Sequence, residues 1–226
     1  MPKTIILSLG GSLIAPEKID INFLKKFKKT IEKFVRKNHR FVAVCGGGAI
    51  ARKFQKAASG KKRITSRDLD WLGIYATMIN ANIVKQVFGE MAESKIIQNP
   101  TEKISSNKKL ILASGWKPGW STDYDAVLLA KNLKAKTVIN MSNVDYVYDK
   151  DPKKHKDAKK IGNICWKHYR QMVGDKWTAG LNAPFDPIAA KEAEKSGIKV
   201  IVIGKNLGNL EKLLNRKKFN GTVIEN

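Results

Sequence analysis

Two apolar runs in this chain end in consecutive glycines and then open onto a helical pattern. The first reads Ile5-Ile6-Leu7-Ser8-Leu9, followed by Gly10-Gly11-Ser12. The second reads Phe41-Val42-Ala43-Val44-Cys45, followed by Gly46-Gly47-Gly48-Ala49. A strand that passes through glycines into a helix exposes bare backbone N–H groups at the positive end of that helix. Such a turn suits a phosphate or another anion. A single glycine pair would equally serve as a tight strand-to-helix turn. Two pairs in one small α/β chain point to two phosphate-bearing ligands, one giving and one accepting.

The rest of the chain alternates strand and helix. Strands are expected at Thr4–Leu9, Phe41–Cys45, Leu110–Ala113, Thr137–Met141 and Lys199–Ile203, with Thr222–Ile224 as a final edge strand and Lys95–Gln98 as a short one. Between them, Phe23, Leu24, Phe27, Ile31, Phe34 and Val35 keep helical spacing over residues 22–37. Further helices are expected over residues 49–58, 66–88 with Ser66 as cap, 124–133 behind Ser121-Thr122-Asp123, 166–173, 186–196 and 207–214. Asp186-Pro187 opens one of them with proline at the favoured first position, and Gly197 stops it. The charged stretch 143–160 has room for a hairpin. Alternation of this kind implies a mainly parallel sheet covered on both faces.

Composition limits the function classes. At 226 residues and 42% hydrophobic content, the chain can bury a sizeable core. No run of ~18 apolar residues suggests a membrane span. The start of the chain enters a strand without a signal-peptide pattern, so a cytoplasmic location is expected. Cys45 and Cys165 have no clustered partners and read as ordinary buried thiols rather than a metal site or disulfide. The net charge is +23, and of 43 basic residues only seven are Arg. Dedicated nucleic-acid surfaces use Arg freely for its forked donors. The lysines are dispersed along the chain, so the charge reads as background that steers anionic substrates, not as a specific nucleic-acid face.

Four segments together resemble the amino acid kinase superfamily and, within it, the UMP kinases of archaeal type. They are Gly10-Gly11-Ser12, the run Gly46-Gly47-Gly48-Ala49-Ile50-Ala51-Arg52-Lys53, the run from Asn143-Val144-Asp145 to Asp151-Pro152, and Phe185-Asp186-Pro187-Ile188-Ala189-Ala190-Lys191. The closing Gly221-Thr222-Val223-Ile224 fits as well. The resemblance covers nearly the whole chain. It implies one αβα sandwich over residues 1–226, with an acceptor lobe over about 1–135 and an ATP lobe over about 136–226. It also implies Mg²⁺-dependent transfer of the γ-phosphoryl group of ATP to UMP, in a homohexamer.

Residue by residue, the resemblance puts UMP against Gly47, Gly48, Arg52, Asp70, Gly115, Ser121, Thr122 and Asp123. Arg52 would grip the phosphate and Asp70 the ribose, while Asp123 fits equally as a helix cap. ATP would lie against Gly10, Gly11, Ser12, Ser142, Asn143, Tyr148 and Asp151. Ser8, Asp186 and Lys191 are the catalytic candidates, and Mg²⁺ would ride mainly on the ATP phosphates rather than in a protein metal site. Two departures stand out. Ser8 occupies a position where many relatives carry Lys, which leaves Lys3, Lys191 or Arg52 to supply that charge. Tyr146 replaces the Gly of an Asn-Val-Asp-Gly-Val motif. These departures keep a second reading open, a catalytically silent relative that binds nucleotide or oxyanion.

Other branches fit less well. Isopentenyl phosphate kinases carry a His soon after the triple glycine, where this chain has Ala49-Ile50-Ala51-Arg52. Aspartokinases carry further C-terminal regulatory domains. The tryptophans of Gly115-Trp116-Lys117-Pro118-Gly119-Trp120 could pack over the acceptor or at a subunit contact.

Overall fold

The computed structural model describes residues 3–59, 64–152, 154–174 and 183–226. The chain begins with β1 (Lys3–Leu9), the one-turn α1 (Gly11–Ile14), α2 (Ile21–Arg36), β2 (His39–Cys45), α3 (Gly48–Ala58) and α4 (Ser66–Phe88). Next come β3 (Leu110–Ala113), α5 (Thr122–Asn132), β4 (Thr137–Met141), β5 (Val147–Tyr148), β6 (Lys160–Ile161) and β7 (Asn163–Ile164). The last elements are α6 (Trp166–Val173), α7 (Pro187–Lys195), β8 (Lys199–Ile203), α8 (Leu207–Leu214) and β9 (Thr222–Ile224).

The main sheet has seven strands in the order β3-β2-β1-β4-β8-β9-β7. The five strands from β3 to β8 run parallel, and β9 runs antiparallel to β8. Parallel strands buried on both faces read as continuous apolar runs, and alternate side chains feed opposite cores. Ile5, Leu7 and Leu9 of β1 join one core with Phe27 and Phe34 of α2, Val84 and Phe88 of α4 and Leu210 of α8. Ile6 of the same strand joins the other core with Val127 and Leu129 of α5, Trp166 and Tyr169 of α6 and Ala190 of α7. The result is the expected three-layer αβα sandwich.

Local chemistry fixes the element ends. The carboxylate of Asp20 accepts from Phe23 N at 2.9 Å and caps α2, whose Leu24, Phe27, Ile31 and Phe34 are fully buried. Truncating Phe27 to Ala would cost about 3–5 kcal/mol, in lost transfer energy and an unfilled cavity. Helix α4 is capped by Thr65 rather than by Ser66. Thr65 and Asp68 exchange bonds through side chain and backbone, which is a complete capping box.

Three further expectations need correction. Thr222–Ile224 is not an edge strand, because β7 pairs on its outer side. Residues 95–98 form no named strand, and only single bridges join Ala92 to Leu110 and Ile97 to Ala113. Cys165 is half-buried at the cap position of α6. Cys45 is fully buried, and burial pushes its thiol up to about 12, so it is inert. The charged stretch does hold a hairpin-like pair, β5 with β6.

Candidate functional site

The chain steps from β1 to β2 on one side of the sheet and, after β3, crosses to β4 on the other side of β1. In open parallel sheets, ligands collect at the carboxyl ends of the strands beside such a reversal. A cleft of about 310 Å³ lies there. Its lining includes the first residues past four strands: Gly10 after β1, Gly46 after β2, Gly115 just after β3 and Ser142 after β4.

The two glycine loops touch backbone to backbone. A Cβ placed on Gly11 would lie 2.6 Å from the Gly47 carbonyl carbon, and closer still to Gly48 N and Gly46 O. A Cβ on Gly48 would lie 2.8 Å from the Gly11 Cα, and Gly48 also has a φ of +60°, where side chains are strained. Glycine is therefore required on both sides of the seam. Gly10 N donates to Met141 O at 2.8 Å and Gly46 N to Leu9 O at 2.9 Å, which ties both loops to β1 and β4. Beneath them the buried Asn80 amide of α4 donates to Gly46 O at 2.7 Å and Gly47 O at 3.2 Å. In α1, Leu13 N donates to Gly10 O at 2.8 Å. The N–H groups before it, like those that open α3, precede any carbonyl of their own helices and are the kind of donors an anion can take.

Arg52, in the second turn of α3, and Asp70 of α4 both line the cleft. Arg52 is exposed and supplies the cation among the described lining residues. Asp70 Oδ2 accepts from Gly119 N at 2.7 Å, so it also holds the tryptophan loop. The other end of that loop is held by Thr77, whose hydroxyl accepts from Gly115 N at 2.7 Å. Trp120 lines this cleft, whereas Trp116 lines a separate cavity of about 900 Å³ beside α4.

At the centre stands an acid pair. Ser8 Oγ donates to Asp123 Oδ1 at 2.8 Å, and Asp186 N donates to Asp123 Oδ2 at 3.2 Å. Burial pushes the Asp123 carboxyl up to about 6. The Ser8 hydroxyl opposes that shift and the neighbouring Asp186 charge adds to it. Asp186 is buried and likewise raised, mainly by burial, against the N–H bond it receives from Ala189 at 2.6 Å as cap of α7. Two residues beyond Asp123 along α5, Asp125 is pushed up to about 8 by burial while it accepts from Trp116 N at 3.1 Å. Ser121, not Asp123, is the side chain that caps α5.

The cleft thus gathers Ser8, Gly10, Gly11, Ser12, Gly47, Gly48, Arg52, Asp70, Gly115, Ser121, Thr122, Asp123 and Ser142, with Asp186 bonded behind Asp123. Lys191 is exposed on α7 and does not line it. Lys3 starts β1, about 16 Å of strand from Ser8. Asn143, Tyr148 and Asp151 follow Ser142 away from the lining, where Tyr148 meets Tyr146 edge to face at 6.5 Å. Sequence reasoning missed two buried supports. One is Asn80. The other is Tyr169, whose hydroxyl donates to Phe185 O at 2.6 Å and accepts from Phe185 N at 2.8 Å, fixing the residue before Asp186. Among the described residues, no cluster of three or more His, Cys, Asp or Glu could cage a metal.

The chain is similar to known proteins both in sequence and in fold. A uridylate kinase of Thermococcus kodakarensis is 33% identical over 226 residues, spanning 98% of this chain and 99% of its own. One from Thermoplasma volcanium is 34% identical over 232 residues, spanning 100% and 99%. The crystal structure of a uridylate kinase from Archaeoglobus fulgidus superposes with a TM-score of 0.83 at 33% identity, over 98% of this chain and 99% of that one. A UMP kinase structure from Bacillus anthracis shares the fold, with a TM-score of 0.80 at 20% identity over 100% and 97%. The model of the amino acid kinase family matches residues 3–204, from the first strand past both glycine loops and the acid pair, and the chain belongs to that family.

Proposed function

We propose that this chain transfers the γ-phosphoryl group of ATP to UMP, giving UDP and ADP. The observation that carries this reading is the backbone seam between Gly11 and Gly48. It sets two phosphate-binding loops side by side, with Arg52 and Asp70 beyond one of them and Ser142 beyond the other. Relatives about a third identical over their whole length are uridylate kinases.

The acceptor is already an anion near neutral pH, so the reaction needs alignment and charge neutralisation more than a strong base. Arg52 grips the UMP phosphate with its fork of donors, and the N–H groups of Gly47 and Gly48 receive its oxygens. Asp70 accepts from the ribose. Gly10, Gly11 and Ser12 hold the donor phosphates, with Ser142, Asn143, Tyr148 and Asp151 toward the nucleoside. Asp123, with Asp186 bonded behind it, lines a cleft that must take two polyanions, an arrangement that fits a hydrated divalent cation carried by ATP. Mg²⁺ bound there supplies charge neutralisation of the moving phosphoryl group. Asp123, which accepts from Ser8 Oγ and from Asp186 N, is the carboxylate that would help to hold that cation. Lys191 would neutralise charge only after a movement of α7 toward the cleft.

The N-terminal half, to about residue 135, serves as acceptor lobe and the remainder as ATP lobe, on one continuous sheet. No helix among the described residues is long and apolar enough to cross a membrane. Tyr75 and Ile79 stand exposed on one face of α4, the kind of apolar strip that a homo-oligomer, here a hexamer, would cover. The deciding experiment is a coupled ADP-release assay with Mg·ATP and a panel of nucleoside monophosphates. Selective turnover of UMP is expected. UMP binding without UDP formation would instead mark a silent relative.

A further inference from the structure

Trp120 is held in a frame of ring contacts and hydrogen bonds. Its ring meets Trp116 edge to face at 5.2 Å and Tyr124 edge to face at 4.4 Å. The Lys117 ammonium sits in the angle between the two indoles, 4.1 Å from the Trp116 ring and 4.2 Å from that of Trp120. Hydrogen bonds hold the loop at three points: Gly115 N on Thr77, Trp116 N on Asp125 and Gly119 N on Asp70. All three partners lie on helices. An indole fixed in this way is also half-exposed into a cleft whose other described walls are glycine, hydroxyl, amide and charge, apart from small apolar contributions such as Ala51 and Ile74.

The Asp70 bond to Gly119 places Trp120 one residue from the group that receives the ribose. Resting on the acceptor assignment above, we infer that Trp120 is the specificity-determining wall for the acceptor's nucleobase, and that Lys117 is its positioning residue. The chemistry it recognises is a flat aromatic base carried on a ribose phosphate. Arg52 and the glycine N–H groups recognise the phosphate, and every ribose phosphate offers that. Asp70 recognises a sugar hydroxyl, and every ribonucleotide offers that. The indole alone adds affinity for a base. Its orientation is fixed before binding, so the ligand does not have to order it, and stacking is then gained with little entropic loss.

The competing role is local. Trp120 precedes the cap Ser121 and packs on Tyr124 in the first turn of α5, so it also staples that helix. The two roles separate with a pair of ligands, UMP and ribose 5-phosphate, titrated calorimetrically against the whole protein. Trp120→Ala should weaken UMP roughly ten- to a hundred-fold and leave ribose 5-phosphate within about two-fold. Trp120→Phe should restore most of the UMP affinity. Trp120→Leu keeps an apolar staple without a π face and should behave like Trp120→Ala, even if the Ala variant proves poorly folded. Lys117→Ala should weaken UMP about two- to five-fold, with rescue by Lys117→Arg. Equal weakening of UMP and ribose 5-phosphate in the Leu variant overturns the inference and leaves a stapling role. Wild-type protein that binds neither ligand overturns the acceptor assignment itself, and the inference with it.

Discussion

Ser8 donates its hydroxyl to Asp123 at 2.8 Å, across 115 residues of sequence and at the floor of the cleft. Ser8, one of the catalytic candidates, therefore bonds to one acid of the pair while it lines the cleft itself. The bond favours the charged carboxylate and opposes the burial that raises Asp123 to about 6. Removing the donor in Ser8→Ala should raise that pKa further. The acid limb of kcat/KM should then move to higher pH. UMP itself gains a charge near pH 6, but its ionisation is common to both proteins, so the difference between their profiles isolates Asp123. Superimposable limbs would detach Ser8 from the acid pair's chemistry.

Arg52 supplies the cation among the described lining residues. Its replacement by Ala should weaken UMP by about 2–4 kcal/mol, through loss of a charge-assisted fork to a dianion. ATP affinity should change much less. Calorimetric titration with each nucleotide tests this, and equal losses would point to a general distortion of the cleft.

Under the proposed reading Asp70 would have two duties, since Oδ2 already receives Gly119 N. UMP should exceed dUMP in kcat/KM by at least ~tenfold, because a site built around a hydroxyl is left with an unpaired polar group by the deoxy analogue. Asp70→Ala should narrow that ratio mainly by harming UMP, and should also lower the melting temperature by freeing the loop. Asp70→Asn keeps an acceptor for Gly119 N and should retain the melting temperature. A ratio unchanged in Asp70→Ala would confine this residue to holding the loop.

Stability should fall as pH rises, with Asp125 as the cause. Burial lifts its carboxyl to about 8, against an ordinary unfolded value near 3.9. Between those two values the folded protein holds a proton that the unfolded chain has released. Its contribution is therefore neutral below about pH 4, turns unfavourable as pH climbs, and levels off above about pH 8. Asp125→Asn keeps an acceptor for Trp116 N and removes the charge. Its melting temperature should exceed wild type at pH 8 and match it near pH 4.5. A gain of equal size at both pH values would mean that packing, not ionisation, is responsible.

Elements buried on both faces were easy to read from sequence. Ile5–Leu9, Phe41–Cys45 and Lys199–Ile203 are apolar runs bounded by turn residues, and each lies in the parallel sheet. The edge was harder, because β7 contributes only Asn163 and Ile164 and carries no pattern of its own. The missed cap on α4 reflects adjacent candidates, Thr65 and Ser66, of which only Thr65 lies three residues before Asp68. At the site, glycines and Arg52 could be read because loop and first helical turns are contiguous in sequence. Asn80 and Tyr169 could not, since each acts on backbone groups 33 and 34 or 16 residues away. Nothing in a local window marks a mid-helix amide or phenol as a support.

The seam between Gly11 and Gly48 behaves as a ruler. Side-chain contacts can lengthen by a change of rotamer, but a contact between two backbones cannot, so the spacing of the two loops proposed as phosphate cradles is set by the sheet beneath them. Surface lysines can be exchanged freely without altering it. A single methyl on either loop would push both cradles apart at once. Gly11→Ala and Gly48→Ala should therefore lose turnover by a far larger factor than they lose affinity for either nucleotide alone, because what each destroys is a distance.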